Sequence, residues 1–245
     1  MQGRVAKRLA IGMISASLFL PVGCLGLPTK KAALGPGGIP DNGKIPANAN
    51  VVVPEANSRR PTVEMLVDFG YCFINFQNYE KAADLFNQAL AQNPRCDRAI
   101  VGLARIQLER QNPAEAVRIL ETGLQKSPKS APIWNELGMS AMKQGEFAAA
   151  RSNFEQAMSY APDNRDYIVN LAHSLTLLGD TESAHRHLCR QTNPAEARCM
   201  LADWLALADQ PAQALEQVQQ ARVLDKNHKR AMELETALTS RLARK

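Results

Sequence analysis

The chain has 245 residues, of which 45% are hydrophobic but only 5% aromatic, and it carries a formal charge of +5. Long β-branched runs are absent, which excludes a parallel-sheet architecture and points to an all-helical one. The charge does not mark a nucleic-acid surface. Arg4, Lys7 and Arg8 lie in the first 24 residues, which hold no acid; setting them aside leaves 26 of the 29 basic residues against 24 acidic ones, with no basic stripe.

Residues 1–24 read as an export signal. The basic start is followed by an apolar run from Leu9 to Leu20, too short to span a bilayer as a helix of about 20 residues. The segment ends Pro21-Val22-Gly23-Cys24. Small residues before a cysteine resemble the lipobox of bacterial lipoproteins, although Pro21 stands where that family usually has leucine. The resemblance implies acylation of Cys24. Leu25, in place of an aspartate after that cysteine, implies the outer membrane with the protein facing the periplasm. A soluble periplasmic protein, cleaved nearby, and an uncleaved N-terminal anchor are the alternatives. Residues 25–61 have no periodicity and are rich in Pro and Gly, so they read as a disordered tether, a coil averaging about 30 to 35 Å end to end.

From Val63 to Asn164 three consecutive 34-residue periods follow. Ala82, Ala116 and Ala150 fall in register, as do Pro94, Pro128 and Pro162, and bulky residues recur four places after each alanine at Phe86, Leu120 and Phe154. Small residues recur at Gly70, Ala104 and Gly138 and at Ala89, Gly123 and Ala157. Within each period the apolar stepping by three and four breaks at Gln77-Asn78, Asn112-Pro113 or Gln144-Gly145 and then resumes, which reads as helix, tight turn, helix. Neither helix of such a pair can bury its apolar face alone, so the pairs must stack. Thr62 and Ser130 are expected helix N-caps, and Asn112, Pro113 and Glu115 form a capping signal for the second helix of the second unit.

These residues carry the tetratricopeptide pattern. The resemblance implies an all-α fold, a right-handed α-solenoid of about five helix pairs (63–96, 97–130, 131–164, 165–194 and 195–227) in a repeat domain over 62–227. Unit four keeps Leu171, Ala172, Ala184 and Leu188 in register, but Ala214 follows Ala184 by only 30 residues. Four residues are therefore missing at the junction, and the second helix of unit four must stop near Arg190. The solenoid is expected to kink or tighten there. In 228–245, Ala231, Leu234, Leu238 and Leu242 share one face, as expected of a capping helix.

With Cys24 lipidated, four cysteines allow three complete pairings. Cys189 ends one helix and Cys199 begins the next at similar height around the shortened junction, so these two are the expected disulfide in an oxidising compartment; the alternative is four small buried thiols. No catalytic constellation is present. His185 and His187 are two apart and diverge, unlike the i, i+4 spacing with which two imidazoles share a metal, so neither a metal site, a cofactor nor an enzymatic activity is expected.

What remains is a groove for a protein or peptide partner. In tetratricopeptide folds the first helix of each pair lines a concave face, and the matching positions here nominate Tyr71, Arg98, Arg105, Asn135, Met139, Met142, Asn170 and His173. Tyr71, Arg105 and Met139 share the ninth position of their helices and are expected to form a row whose replacement spares the fold. The set departs from the carboxylate clamp of chaperone-binding members, because Val67, Tyr71 and Gly102 stand where that clamp needs polar donors. The whole layout resembles the tetratricopeptide lipoproteins of pilus assembly, above all the TadD family of the tight-adherence (Flp) pilus system. This implies a non-enzymatic scaffold that assists a pilus component or its secretin. The pilotin-like proteins of type IV pili share the layout, and a soluble periplasmic chaperone or adaptor is a further reading.

Overall fold

The structure, a computed structural model, describes residues 60–244. The expected signal segment with Cys24, and all but the end of the tether, lie outside the described residues. Eleven helices and no strand occur among those described. They form five hairpins and a final single helix. The pairs are α1 (Val63–Asn75) with α2 (Tyr79–Gln92), α3 (Asp97–Glu109) with α4 (Pro113–Lys126), and α5 (Ala131–Gln144) with α6 (Phe147–Tyr160). They continue with α7 (Arg165–Leu177) and α8 (Thr181–Leu188), then α9 (Pro194–Leu207) and α10 (Pro211–Leu224), before α11 (Lys229–Leu242).

Local chemistry sets the helix boundaries. Thr62 accepts a bond from the Met65 N–H, Ser130 from Ile133, and Asn193 from Glu196, each satisfying a donor that the first helical turn leaves over. Asn112 precedes α4 as expected but makes no side-chain cap bond. Glu115 is drawn instead to Arg118 one turn on, with bonds of 2.7 and 2.6 Å. Each hairpin turn uses a residue of positive φ at the same repeat position: Gln77, Gln111, Gly145, Gly179 and Asp209. Only two of the five are glycine, and a side chain in this left-handed region costs about 1 to 2 kcal/mol. The double variant Gln77→Gly/Gln111→Gly is therefore expected to gain about 1 kcal/mol in total, after the greater unfolded-state freedom of glycine is subtracted. Urea unfolding would show this as a higher midpoint with an unchanged slope.

The packing rows follow the sequence period. Ala82, Ala116, Ala150, Ala184 and Ala214 are all fully buried, and so are Phe86, Leu120, Phe154, Leu188 and Val218 four residues later. The small alanine lets two helices approach, and the bulky residue fills the space beside the next pair. Phe86 shows how tight this is. Its ring lies against Gly70 of α1 and Gly102 of α3, where a Cβ would come within 2.5 and 2.4 Å of ring carbons.

The first helix of each pair (the A helix) also touches the A helix of the next, from α1 through α11. The backbones of the second (B) helices of neighbouring pairs stay more than 8 Å apart among the described residues. The A helices therefore lie on the inner side of the curve and present a common face. The deletion is taken out of α8, which has 8 residues against 14 in each of the other B helices and ends at Leu188 with Cys189 as its C-cap, close to Arg190 as expected. At the C-terminal end, Ala231, Leu234 and Leu238 of α11 close the core formed by α9 and α10.

Candidate functional site

The inner face has a polar half and an apolar half. In the polar half a cleft of about 200 Å³ is lined by Tyr71, Arg98, Val101, Arg105, Asn135, Glu136 and Tyr167, among others, contributed by α1, α3, α5 and α7. The Tyr71 hydroxyl donates to the Arg98 carbonyl at 2.8 Å, and its ring meets the Phe86 ring edge to face at 5.2 Å. The guanidiniums of Arg98 and Arg105 lie 5.7 and 5.8 Å from the same ring, an arrangement in which a cation is attracted by the aromatic quadrupole. Burial pushes the Tyr71 phenol up to about 12, so it stays protonated and keeps its donor role.

Arg105 donates from both Nε and Nη2 to Glu136 Oε2, at 2.9 and 2.8 Å. The Glu136 side chain is only 5% exposed, whereas that of Arg105 is about half exposed at 47%. Arg98 pairs with Asp68 at 2.8 Å, and both are open to solvent. Further along, the Asn170 amide donates to Asn135 Oδ1 at 2.9 Å. Both guanidiniums line the cleft, so each can offer N–H donors to a guest there.

The apolar half begins one turn further on. Met139, Met142, Val169, Met200 and Trp204 are partly buried against one core cluster, and the His173 ring stacks on Trp204 with centroids 4.7 Å apart and planes 20° apart. Burial holds the His173 imidazole down at about 4, so it is neutral near pH 7 and behaves as an aromatic surface. The unfolded chain protonates near 6.5 and the folded one only near 4. The stabilisation is thus complete above pH 6.5 and drains away as pH falls toward 4. Solvent at the exposed edge screens part of the effect, leaving about 2 kcal/mol. His173→Phe keeps the stack on Trp204 and should abolish this part of the acid destabilisation, which unfolding curves at pH 7 and pH 4.5 would measure.

The eight nominated residues thus divide between two sub-surfaces. The ninth-position row of Tyr71, Arg105 and Met139 is tied into the fold as well as lining the face, because Arg105 pairs with the buried Glu136 and Tyr71 meets Phe86 edge to face. Tyr167 and Trp204, at the third and tenth positions of their repeat units, were not foreseen as part of the face. Those positions look back along the solenoid toward the preceding A helix, and aromatic residues there were the available signal.

The expected bridge between Cys189 and Cys199 is not formed; all four described cysteines are free thiols. Matched height along the helices is not enough, because the two side chains enter different cores. Cys189 packs with the α5 to α9 cluster and lies 3.4 Å from His185 Nε2. Cys199 is fully buried in the α9 to α11 cluster, 3.8 Å from His228 Nδ1. A polar network also missed by sequence reasoning crosses the same junction. Arg198 of α9, 10% exposed, holds both oxygens of Glu182 on the short α8 at 2.9 Å and Gln217 of α10 at 2.8 Å.

Residues 75–137 and residues 131–164 each match the tetratricopeptide repeat. The chain is 30% identical over 117 residues to the TPR repeat-containing protein PA4299 of Pseudomonas aeruginosa, covering 45% of this chain and 48% of that one. It is 29% identical over 144 residues to the general transcriptional corepressor ssn6 of Schizosaccharomyces pombe, covering 57% and 13% respectively. The chain therefore spans less than half the length of either curated relative. Among solved structures, TTC0263, a thermophilic TPR protein of Thermus thermophilus, overlays with a TM-score of 0.49 at 20% identity, covering 74% of this chain and 100% of that one. The packing rows and the family matches together identify the described residues as a solenoid of the tetratricopeptide type, residues 75–164 by the repeat matches and the flanking helix pairs by the same alternation of small and large side chains.

Proposed function

We propose that this protein is a non-enzymatic scaffold that captures a segment of another protein along the inner face of its A helices, and that it does so as an outer-membrane lipoprotein in the assembly of a Flp-type pilus or its secretin. The observation that carries the capture reading is the continuity of two unlike surfaces on one face: a cleft with arginine donors, and a methionine, histidine and tryptophan shelf beside it. A guest with an apolar residue on the shelf and hydrogen-bond acceptors at Arg98 and Arg105 fits both. Methionine adapts to irregular partners, while arginine and aromatic residues dominate contact energy. The pilus and membrane assignments rest on the layout of signal-like segment, Cys24, tether and repeats.

The test uses the full chain in its own host. Asp68→Ala/Arg98→Ala removes an exposed pair together, so neither charge is left unpaired and stability should change by about 1 kcal/mol or less. Co-purification from the envelope is expected to recover pilus or secretin components with the wild type and several-fold less with this variant, a loss of about 1 to 2 kcal/mol. Equal capture by both would remove the polar cleft from the binding surface. Recovery of type IV pilus components instead would favour the pilotin-like reading. For the anchor, Cys24→Ser should shift the protein from membrane to soluble fractions, since acyl chains supply the membrane affinity; unchanged fractionation would sink the lipoprotein reading.

A further inference from the structure

At the far end of the solenoid, Glu196, Cys199 and His228 bring a carboxylate oxygen, a thiol sulfur and an imidazole nitrogen all within 4.8 Å of one another. Glu196 and Cys199 are three residues apart on α9 and so share a helix face. His228 is the N-cap of α11 and comes to them from 29 residues further along the chain. The thiol is fully buried, and the side chains of His228 and Glu196 are only 15% and 26% exposed. Sulfur to Nδ1 is 3.8 Å, and Glu196 Oε2 to Nε2 is 3.5 Å. Tetrahedral bonds of about 2.0 to 2.3 Å to a common centre place neighbouring donors about 3.5 Å apart, so side-chain rotations that draw the outermost donors in from at most 4.8 Å would close this set on one ion.

We propose that Glu196, Cys199 and His228 bind a thiophilic divalent cation of the Zn²⁺ type, which clamps the capping helix α11 onto α9. Mixed sulfur, nitrogen and oxygen donors suit that ion class and not Mg²⁺ or Ca²⁺. On binding, the metal–sulfur bond forms as the S–H bond breaks, and the proton leaves to solvent. The charges then close. Arg230 bridges Glu196 Oε1 and Asp203 Oδ2, leaving Oε2 turned toward His228. Two carboxylates and a thiolate against one guanidinium amount to two negative charges, which a dication neutralises. The ion displaces the long 3.3 Å cap bond from the Ala231 N–H to His228 Nδ1, a weak bond to give up.

The full reduced chain would be titrated with Co²⁺ as the optical probe and with Zn²⁺ alone. One equivalent of Co²⁺ is expected to give a sulfur-to-cobalt charge-transfer band with tetrahedral ligand-field bands, erased by Zn²⁺, and one equivalent of Zn²⁺ should raise the melting temperature by several degrees. Cys199→Ser should lose the band. So should His228→Asn, which removes the imidazole but keeps a good N-cap for α11. A variant with alanine at the other four cysteines should retain it, which separates this site from Cys189 and the neighbouring His185. A folded wild type without the band, a band that survives Cys199→Ser or His228→Asn, or a band lost with the other four cysteines would each overturn the proposal.

Discussion

Phe86→Ala is expected to destabilise the domain by about 4 kcal/mol, near the upper end for loss of a buried phenylalanine. The usual relief is collapse of neighbours into the space, and here it is blocked. Gly70 and Gly102 flank the ring with no side chain to lean inward, and the backbones behind them belong to two different A helices. Tyr71 would lose its edge-to-face partner as well. For a folded region of this size the midpoint should fall by about 10 °C. Because each repeat is held by its neighbours, the loss should open α1 to α4 first. Hydrogen exchange would show protection falling there while α9 to α11 stay near wild type; uniform loss across all eleven helices would contradict this account.

The second large effect is at Arg105. Arg105→Ala is expected to cost about 3 kcal/mol, because it strands a Glu136 carboxylate that is almost inaccessible to water and has two guanidinium N–H bonds on one oxygen. The pair itself contributes much less than this figure, since forming it required desolvating the acid. Arg105→Ala/Glu136→Gln should therefore recover much of the loss, and a double-mutant cycle by chemical denaturation reads the coupling directly. Without that recovery, the damage would come from lost packing of the arginine stem and not from the stranded charge. The same variant pair separates stability from capture, because the double variant restores the fold but still lacks a donor in the cleft.

The sequence made the repeat architecture legible because its alanines and its Phe or Leu residues serve geometry alone: one position must be small, another large, at a fixed interval. The shortened helix α8 was legible for the same reason, from a 30-residue spacing between Ala184 and Ala214. The inner face was legible by position but not by role. Arg105 and Met139 occupy equivalent places, yet one neutralises a buried acid and the other pads an apolar shelf, and that difference depends on Glu136 and Trp204 from neighbouring helices. The cysteine pairing was misread because helical height says nothing about direction around the helix axis. Cys189 and Cys199 face separate cores, and the residues that meet them are His185, weighed in the sequence only for its spacing to His187, and His228.

The contacts that cross from one A helix to the next include Asp68 to Arg98, Arg105 to Glu136, Asn135 to Asn170, and Glu196 and Asp203 to Arg230, joined by Asp209 in the turn after α9 to Arg241 of α11. They lie on the inner side together with apolar contacts between the same helices, and each B helix packs in turn against the next A helix, although the backbones of neighbouring B helices stay apart among the described residues. Mechanically this is a leaf spring with two fastenings per leaf. Apolar packing across its thickness carries most of the bending stiffness, and the polar pairs trim it along the inner edge. Of the ion pairs, Asp68 to Arg98 and Asp209 to Arg241 are solvent-exposed on both sides, and added salt screens these over about 8 to 10 Å at ordinary ionic strength. Rising salt therefore slackens only part of that trim, toward the two ends of the solenoid, whereas a guest that bridges several A helices stiffens the inner edge and fixes the curvature.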